Sequence, residues 1–207
     1  MTEIDVALTD FLLAVQAGWF AWAIRRNVLA GWLRSSACLM FGGLALAALA
    51  GGLWHGFLTE PSGVSRAVWW LTMLCVGAAA SGYALLGAGL LGWQSPAVLL
   101  GVGALAVVYA VLSALTPAFY PAVIAMLLAT VAGMAGLCRQ LGRPGAGTAL
   151  GGAVAIVLAA IPQQLQWGLQ PLQLRHNAVY HLLLLCAHYL LYRGLRQLLT
   201  REDRSCV

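Results

Sequence analysis

Seven apolar stretches dictate what this chain can fold into. They run 7–24, 36–55, 66–91, 96–115, 118–138, 148–167 and 177–199. Each is long enough to cross a hydrocarbon core of about 30 Å at about 1.5 Å per helical residue. In lipid the backbone N–H and C=O groups have no water to bond, so such stretches fold as helices. The expected architecture is therefore all-α: a polytopic membrane protein made of a single seven-helix domain over residues 1–207. Composition agrees, because only 8% of the residues are charged and 62% are hydrophobic, against about 25% charged in a soluble domain.

The breaks between the stretches carry turn chemistry. Arg25-Arg26 closes the first span, and Glu60-Pro61-Ser62-Gly63 follows the second. Trp93-Gln94-Ser95-Pro96 divides the third from the fourth, Thr116-Pro117 the fourth from the fifth, and Arg143-Pro144-Gly145 precedes the sixth. Pro117 and Pro121 raise the alternative of one long kinked helix in place of the fourth and fifth spans. The arginines decide between the two. With the N-terminus outside, Arg25, Arg26, Arg34, Arg139, Arg143, Arg193, Arg196, Arg201 and Arg204 fall inside, and only Arg66 and Arg175 fall outside. Merging two spans would move Arg139 and Arg143 to the wrong side. The positive-inside bias thus favours seven spans, with the N-terminus out and the C-terminus cytoplasmic.

The net charge of +5 comes from eleven arginines and no lysine. They sit at helix ends, where they set orientation, so the basic balance does not indicate nucleic-acid binding. The arginine-only, Ala/Gly/Leu-rich usage is that of a GC-rich bacterial genome, which makes the bacterial inner membrane the expected location and membrane lipids the expected surroundings. The acidic start, Met1-Thr2-Glu3-Ile4-Asp5, lacks the basic n-region of a secretory signal, so the first span is expected to be retained. Cys38, Cys75, Cys138, Cys186 and Cys206 form no CxxC pair and no disulfide framework, and Cys206-Val207 is too short for a prenylation box. The glycines lack the GxxxxGK or strand-turn-helix setting of a phosphate loop; small-xxx-small packing between helices accounts for them.

Chemistry concentrates in the histidines. His55 ends the second span, and His176 and His181 open the seventh, all on the outer side of this topology. Ionisable groups at membrane depth are costly and mark functional sites. At about 100° per residue, Asn177 and His181 share a helix face, as do His181 and His188, whereas His176 and His181 stand about 140° apart. Three neutral imidazoles suit zinc with a position left open for water. The competing reading makes His176 and His181 amphipathic interface residues, Asn177 the N-cap of the last helix, and His188 a partner in a hydrogen bond across helices. Asp10, in the first turns of span one, is either a carboxylate favoured by the helix dipole or one that orients a ligating imidazole. Arg66 and Arg175 are outer-face cations that can hold a lipid phosphate or pair with Glu60. The loop Gln163-Gln164-Leu165-Gln166, with Gln170 and Gln173, can cover the site.

Two of these segments resemble motifs of the alkaline ceramidase-like superfamily of membrane hydrolases, which also includes the adiponectin and progestin receptor family. Gly51-Gly52-Leu53-Trp54-His55 is similar to its small-xxx-His motif, with glycine in place of serine. Asn177-Ala178-Val179-Tyr180-His181 is similar to its His-xxx-His motif, with asparagine at the first ligand position and His176 one residue earlier. The resemblance implies zinc held by His55 and His181, with His176 or Asn177, and a water attacking a lipid amide or ester. The third span departs from the pattern: it holds Arg66, Thr72, Ser81 and Tyr83 but no carboxylate. A reaction would then draw on Glu60 or Asp10 as the acid, or the fold persists without turnover. The alternative class is a non-enzymatic membrane protein: a small carrier, a proton-relay protein or a subunit of a membrane complex.

Overall fold

A computed structural model describes residues 3–28, 30–58, 60–116, 119–172 and 174–202, the last two without their side chains. Pro117, Gln173, Arg204 and Cys206 lie outside the described residues. Seven helices follow one another: α1 (Ile4–Asn27), α2 (Trp32–Phe57), α3 (Gly63–Leu90), α4 (Pro96–Leu115), α5 (Tyr120–Arg139), α6 (Ala146–Gln164) and α7 (His176–Glu202). All seven are long and apolar enough to cross a membrane, and no sheet occurs among the described residues. No helix end departs by more than four residues from the expected spans. The fourth and fifth spans are separate helices, and Pro121 lies in the first turn of α5, where its missing N–H costs nothing.

The boundaries have local causes. The Ser62 hydroxyl caps α3 by accepting from the Ser65 N–H at 3.0 Å. Ser95 does the same for α4 through the Val98 N–H, ahead of Pro96 in the first turn. Gly92 ends α3 with φ of 85°, a conformation open to glycine, while the Trp93 N–H returns to the Ala88 carbonyl at 2.8 Å.

Six helices close a ring in the order α1, α2, α3, α5, α6, α7, and α4 stands outside it against α3. Successive helices run in opposite directions, so one end of the bundle collects the starts of α1, α3, α5 and α7. Glu3 meets His55 there, Ser65 donates to the Leu58 carbonyl, and Trp69 packs on Phe119. Arg25, Arg26, Arg34, Arg139 and Arg143 belong to the opposite end. Near the middle of the ring Phe20 of α1 stacks on Tyr192 of α7 with centroids 4.2 Å apart, and Phe41 of α2 meets both rings edge-on. This aromatic block lies beneath the histidine end.

α4 leaves most of its side chains exposed and fully buries only Tyr109. The Tyr109 hydroxyl donates to the Met73 carbonyl at 2.6 Å, and its ring lies over Gly77 of α3. Tyr109→Phe keeps the ring and removes the donor. A loss of about 1 kcal/mol is expected for a single buried hydrogen bond, read as a lowered unfolding midpoint in detergent; an unchanged midpoint would show that ring packing alone holds α4.

Candidate functional site

The N-terminal end of α1 is clasped between the end of α2 and the start of α7. The Glu3 N–H donates to the His55 carbonyl at 3.0 Å. One Glu3 carboxylate oxygen meets His55 Nδ1 at 2.5 Å, and the other meets the Arg175 guanidinium at 2.7 Å. Asp5 accepts from the Arg175 backbone N–H at 2.8 Å. His55 lies in the last turn of α2, the end of a helix whose dipole attracts positive charge. The group is half-buried: side-chain exposure falls from 40% at Arg175 to 29% at Glu3 and 17% at His55.

A second imidazole lies deeper. Nδ1 of His181 stands 3.2 Å from the Thr9 hydroxyl and 3.4 Å from an Asp10 carboxylate oxygen. Thr9 donates its own proton to the Val6 or Asp5 carbonyl of α1. With that proton on a carbonyl, the Thr9 oxygen is free to accept from His181 Nδ1–H, the tautomer that leaves a lone pair on Nε2. Gly51 and Gly52 make room for this arrangement. A Cβ at Gly51 would sit 3.3 Å from Asp10 Oδ2, and one at Gly52 would sit 2.8 Å from the Phe11 ring. The glycine pair lets α1 close on α2, so that Asp10 is held between α2 and α7, 5% exposed.

The other expected site residues are elsewhere. His176 faces an open pocket of about 360 Å³, shared with Gln166, Gly168, Gln170, Leu174 and Arg175. Asn177 lies inside the first turn of α7, where its side-chain oxygen accepts from Gln163 of α6 at 3.5 Å, so it ties two helices together and does not cap one. Glu60 is exposed in the loop after α2. Arg175 pairs with Glu3 and not with Glu60. His188 is buried, but its Nδ1–H donates to the Leu184 carbonyl of its own helix at 2.9 Å, one turn back, in place of the expected bond across helices.

Glu3, Asp5 and Thr9 join the site without a motif to mark them. The one sequence signal for them is clustering: Glu3, Asp5 and Asp10 are three of the chain's six carboxylates. The donor chemistry suits zinc in one respect, since a carboxylate on Nδ1 is what orients a ligating imidazole. In another it falls short. Among the described residues no group of three His, Cys, Asp or Glu side chains stands close enough to hold a metal ion, whereas a catalytic zinc takes three protein ligands.

The model of a family described as "Family of unknown function (DUF6962)" matches residues 6–200. No curated protein and no solved structure matches the chain.

Proposed function

Because the chain belongs to this family of unknown function, we propose a role from its own residues: a membrane hydrolase-like protein acting on a lipid amide or ester, with His55 and His181 as the working pair. The observation that carries the reading is that imidazoles from α2 and α7 each turn Nδ1 toward a carboxylate of the α1 end, Glu3 and Asp10 respectively. A carboxylate facing Nδ1 fixes the ring and leaves Nε2 to face a reacting group. Two such bases near the membrane edge suit removal of a proton from a water attacking a carbonyl. The motif resemblance supplies the substrate class. The arginine asymmetry supports an outward-facing histidine end, and the residue usage supports a bacterial inner membrane.

Zinc, where bound, would be held by His55 and His181 and would polarise the water or the carbonyl. Proton transfer at the site needs only the two imidazoles and their carboxylates. The test is cleavage of a ceramide-like amide and a lysophospholipid ester by the purified protein, with zinc content measured on the same preparation and on His55→Ala. Turnover is expected in the wild type, falling about tenfold in Glu3→Gln, where the orienting charge of His55 is removed. A wild type that cleaves neither substrate would sink the hydrolase reading.

The second reading, a proton-relay protein, is favoured by the polar groups below the site between α1 and α7. His188 is buried there, and Gln16 Oε1 and the Tyr192 hydroxyl are buried without a hydrogen-bond partner. Such groups at membrane depth mark proton paths. Proteoliposomes that pass protons yet cleave neither substrate would assign the protein to this class.

A further inference from the structure

The connection between α6 and α7 folds into a pinned loop with two kinds of surface. The Leu169 N–H donates to the Leu174 carbonyl at 2.9 Å, and the Leu174 N–H returns to the Leu169 carbonyl at 3.2 Å. Gly168 closes against this bridge, since a Cβ there would lie 2.7 Å from the Leu174 oxygen. Within the loop, Gln166, Gly168 and Gln170 line the open pocket beside Arg175 and His176. Leu165, Trp167 and Leu169, which alternate with them, and Leu172 beyond are exposed. In water these four apolar side chains would be a liability; at a membrane surface tryptophan and leucine settle where headgroups meet acyl chains.

We propose that this pocket binds the phosphate-bearing headgroup of a membrane lipid, whose chains lie along Trp167 and Leu172. The lining matches a phosphodiester. Arg175 brings a guanidinium with five N–H donors, one of them given to Glu3, and Gln166 and Gln170 bring amide donors. Among the described residues no carboxylate lines the pocket. The volume of about 360 Å³ stands at the low end for small-molecule sites, which span about 300–1,000 Å³. A headgroup without its chains fits that size. The proposal rests on the reading that the histidine end meets a lipid substrate, and it adds how that lipid is held. Arg175 joins the two sites, because it lines the pocket and its guanidinium holds the Glu3 carboxylate that meets His55.

The experiment is calorimetric titration of the full chain in amphipol with three probes. They are a short-chain phosphatidylcholine below its micelle-forming concentration, glycerophosphate, and a short-chain diacylglycerol. The phospholipid is expected to bind, and Arg175→Gln to weaken it about tenfold or more, with Glu3→Gln leaving it as tight or tighter because the guanidinium is released. Gln170→Ala, an exposed change that leaves the Glu3 clasp intact, is expected to weaken binding about threefold and keeps the test valid if Arg175→Gln does not fold. Diacylglycerol binding as well as phospholipid would overturn the proposal, as would affinity unchanged in both variants. Glycerophosphate binding as tightly as phospholipid would overturn the lipid and leave a free-phosphate site. Binding is read without cleavage: phospholipid bound by a protein that cleaves neither the ceramide-like amide nor the lysophospholipid ester leaves the pocket standing and removes the hydrolase, and cleavage of either with phospholipid affinity unchanged in both variants does the reverse.

Discussion

Gly152→Leu is expected to drive α6 away from α7 and to cost about 3 kcal/mol or more, the upper end for overpacking a tight interface. The size of the effect follows from what the new side chain would meet. A Cβ at Gly152 would lie 2.8 Å from the Ala187 carbonyl oxygen and 2.8 Å from the Leu191 Cα, both backbone atoms of α7. Backbone cannot swing aside as a flexible side chain does. Gly194 of α7 makes the reciprocal approach, its would-be Cβ 2.7 Å from the Ala149 Cα. The two helices therefore touch backbone to backbone, the arrangement that makes small residues valuable in lipid, where no hydrophobic force draws helices together. The neighbouring Gly151 is the control, for it is exposed and a Cβ there meets nothing within 4 Å. Gly151→Leu should stay within about 0.5 kcal/mol of the wild type. Reversible unfolding in bicelles measures both. Equal stability of the two variants would mean that α6 and α7 do not pack as closely as the backbone indicates.

The same pair of glycines shows what a sequence of this kind discloses. Apolar length, turn residues and arginine placement are enough to mark all seven helices, because each signal is local and each helix satisfies its own backbone. Which of Gly151 and Gly152 faces a neighbour is not local; it depends on the rotation of α6, and a helix that is apolar on all sides carries little amphipathic signal to orient it. The site divides along the same line. His55 and His181 stand out as rare ionisable residues at span ends. The partners that give them a defined proton arrangement, Glu3 and Thr9, are 52 and 172 residues away in the chain. Nothing in Met1-Thr2-Glu3-Ile4-Asp5 distinguishes a charged tail from a clasp. His176 and Asn177 attract attention by their nearness to His181 in sequence, yet helix geometry turns one to the loop pocket and the other to Gln163.

Asp10 is where the motif resemblance and the geometry meet. The third span lacks the acid of the ceramidase-like pattern, and Gly51 stands where that pattern carries serine. In the fold, the Asp10 carboxylate from α1 fills the space over Gly51 and approaches His181. On the hydrolase reading this carboxylate is a positioning residue, acting through the imidazole. His181→Ala is then expected to lower kcat by about 10²–10⁴-fold, the range for loss of a general base, and Asp10→Asn by about 10–100-fold, the range for an outer partner of a functional histidine. A role confined to packing would show itself differently, as a lower unfolding midpoint with kcat preserved in the folded fraction. Nitrogen-15 spectra of histidine-labelled protein give a readout that needs no substrate. His181 should carry its proton on Nδ1 in the wild type, and Asp10→Asn combined with Thr9→Val should shift the population toward Nε2–H, because both groups that accept from Nδ1 are then gone or uncharged. Unmoved His181 nitrogen shifts in that double variant would remove Asp10 from the site and leave it a buried carboxylate between α2 and α7.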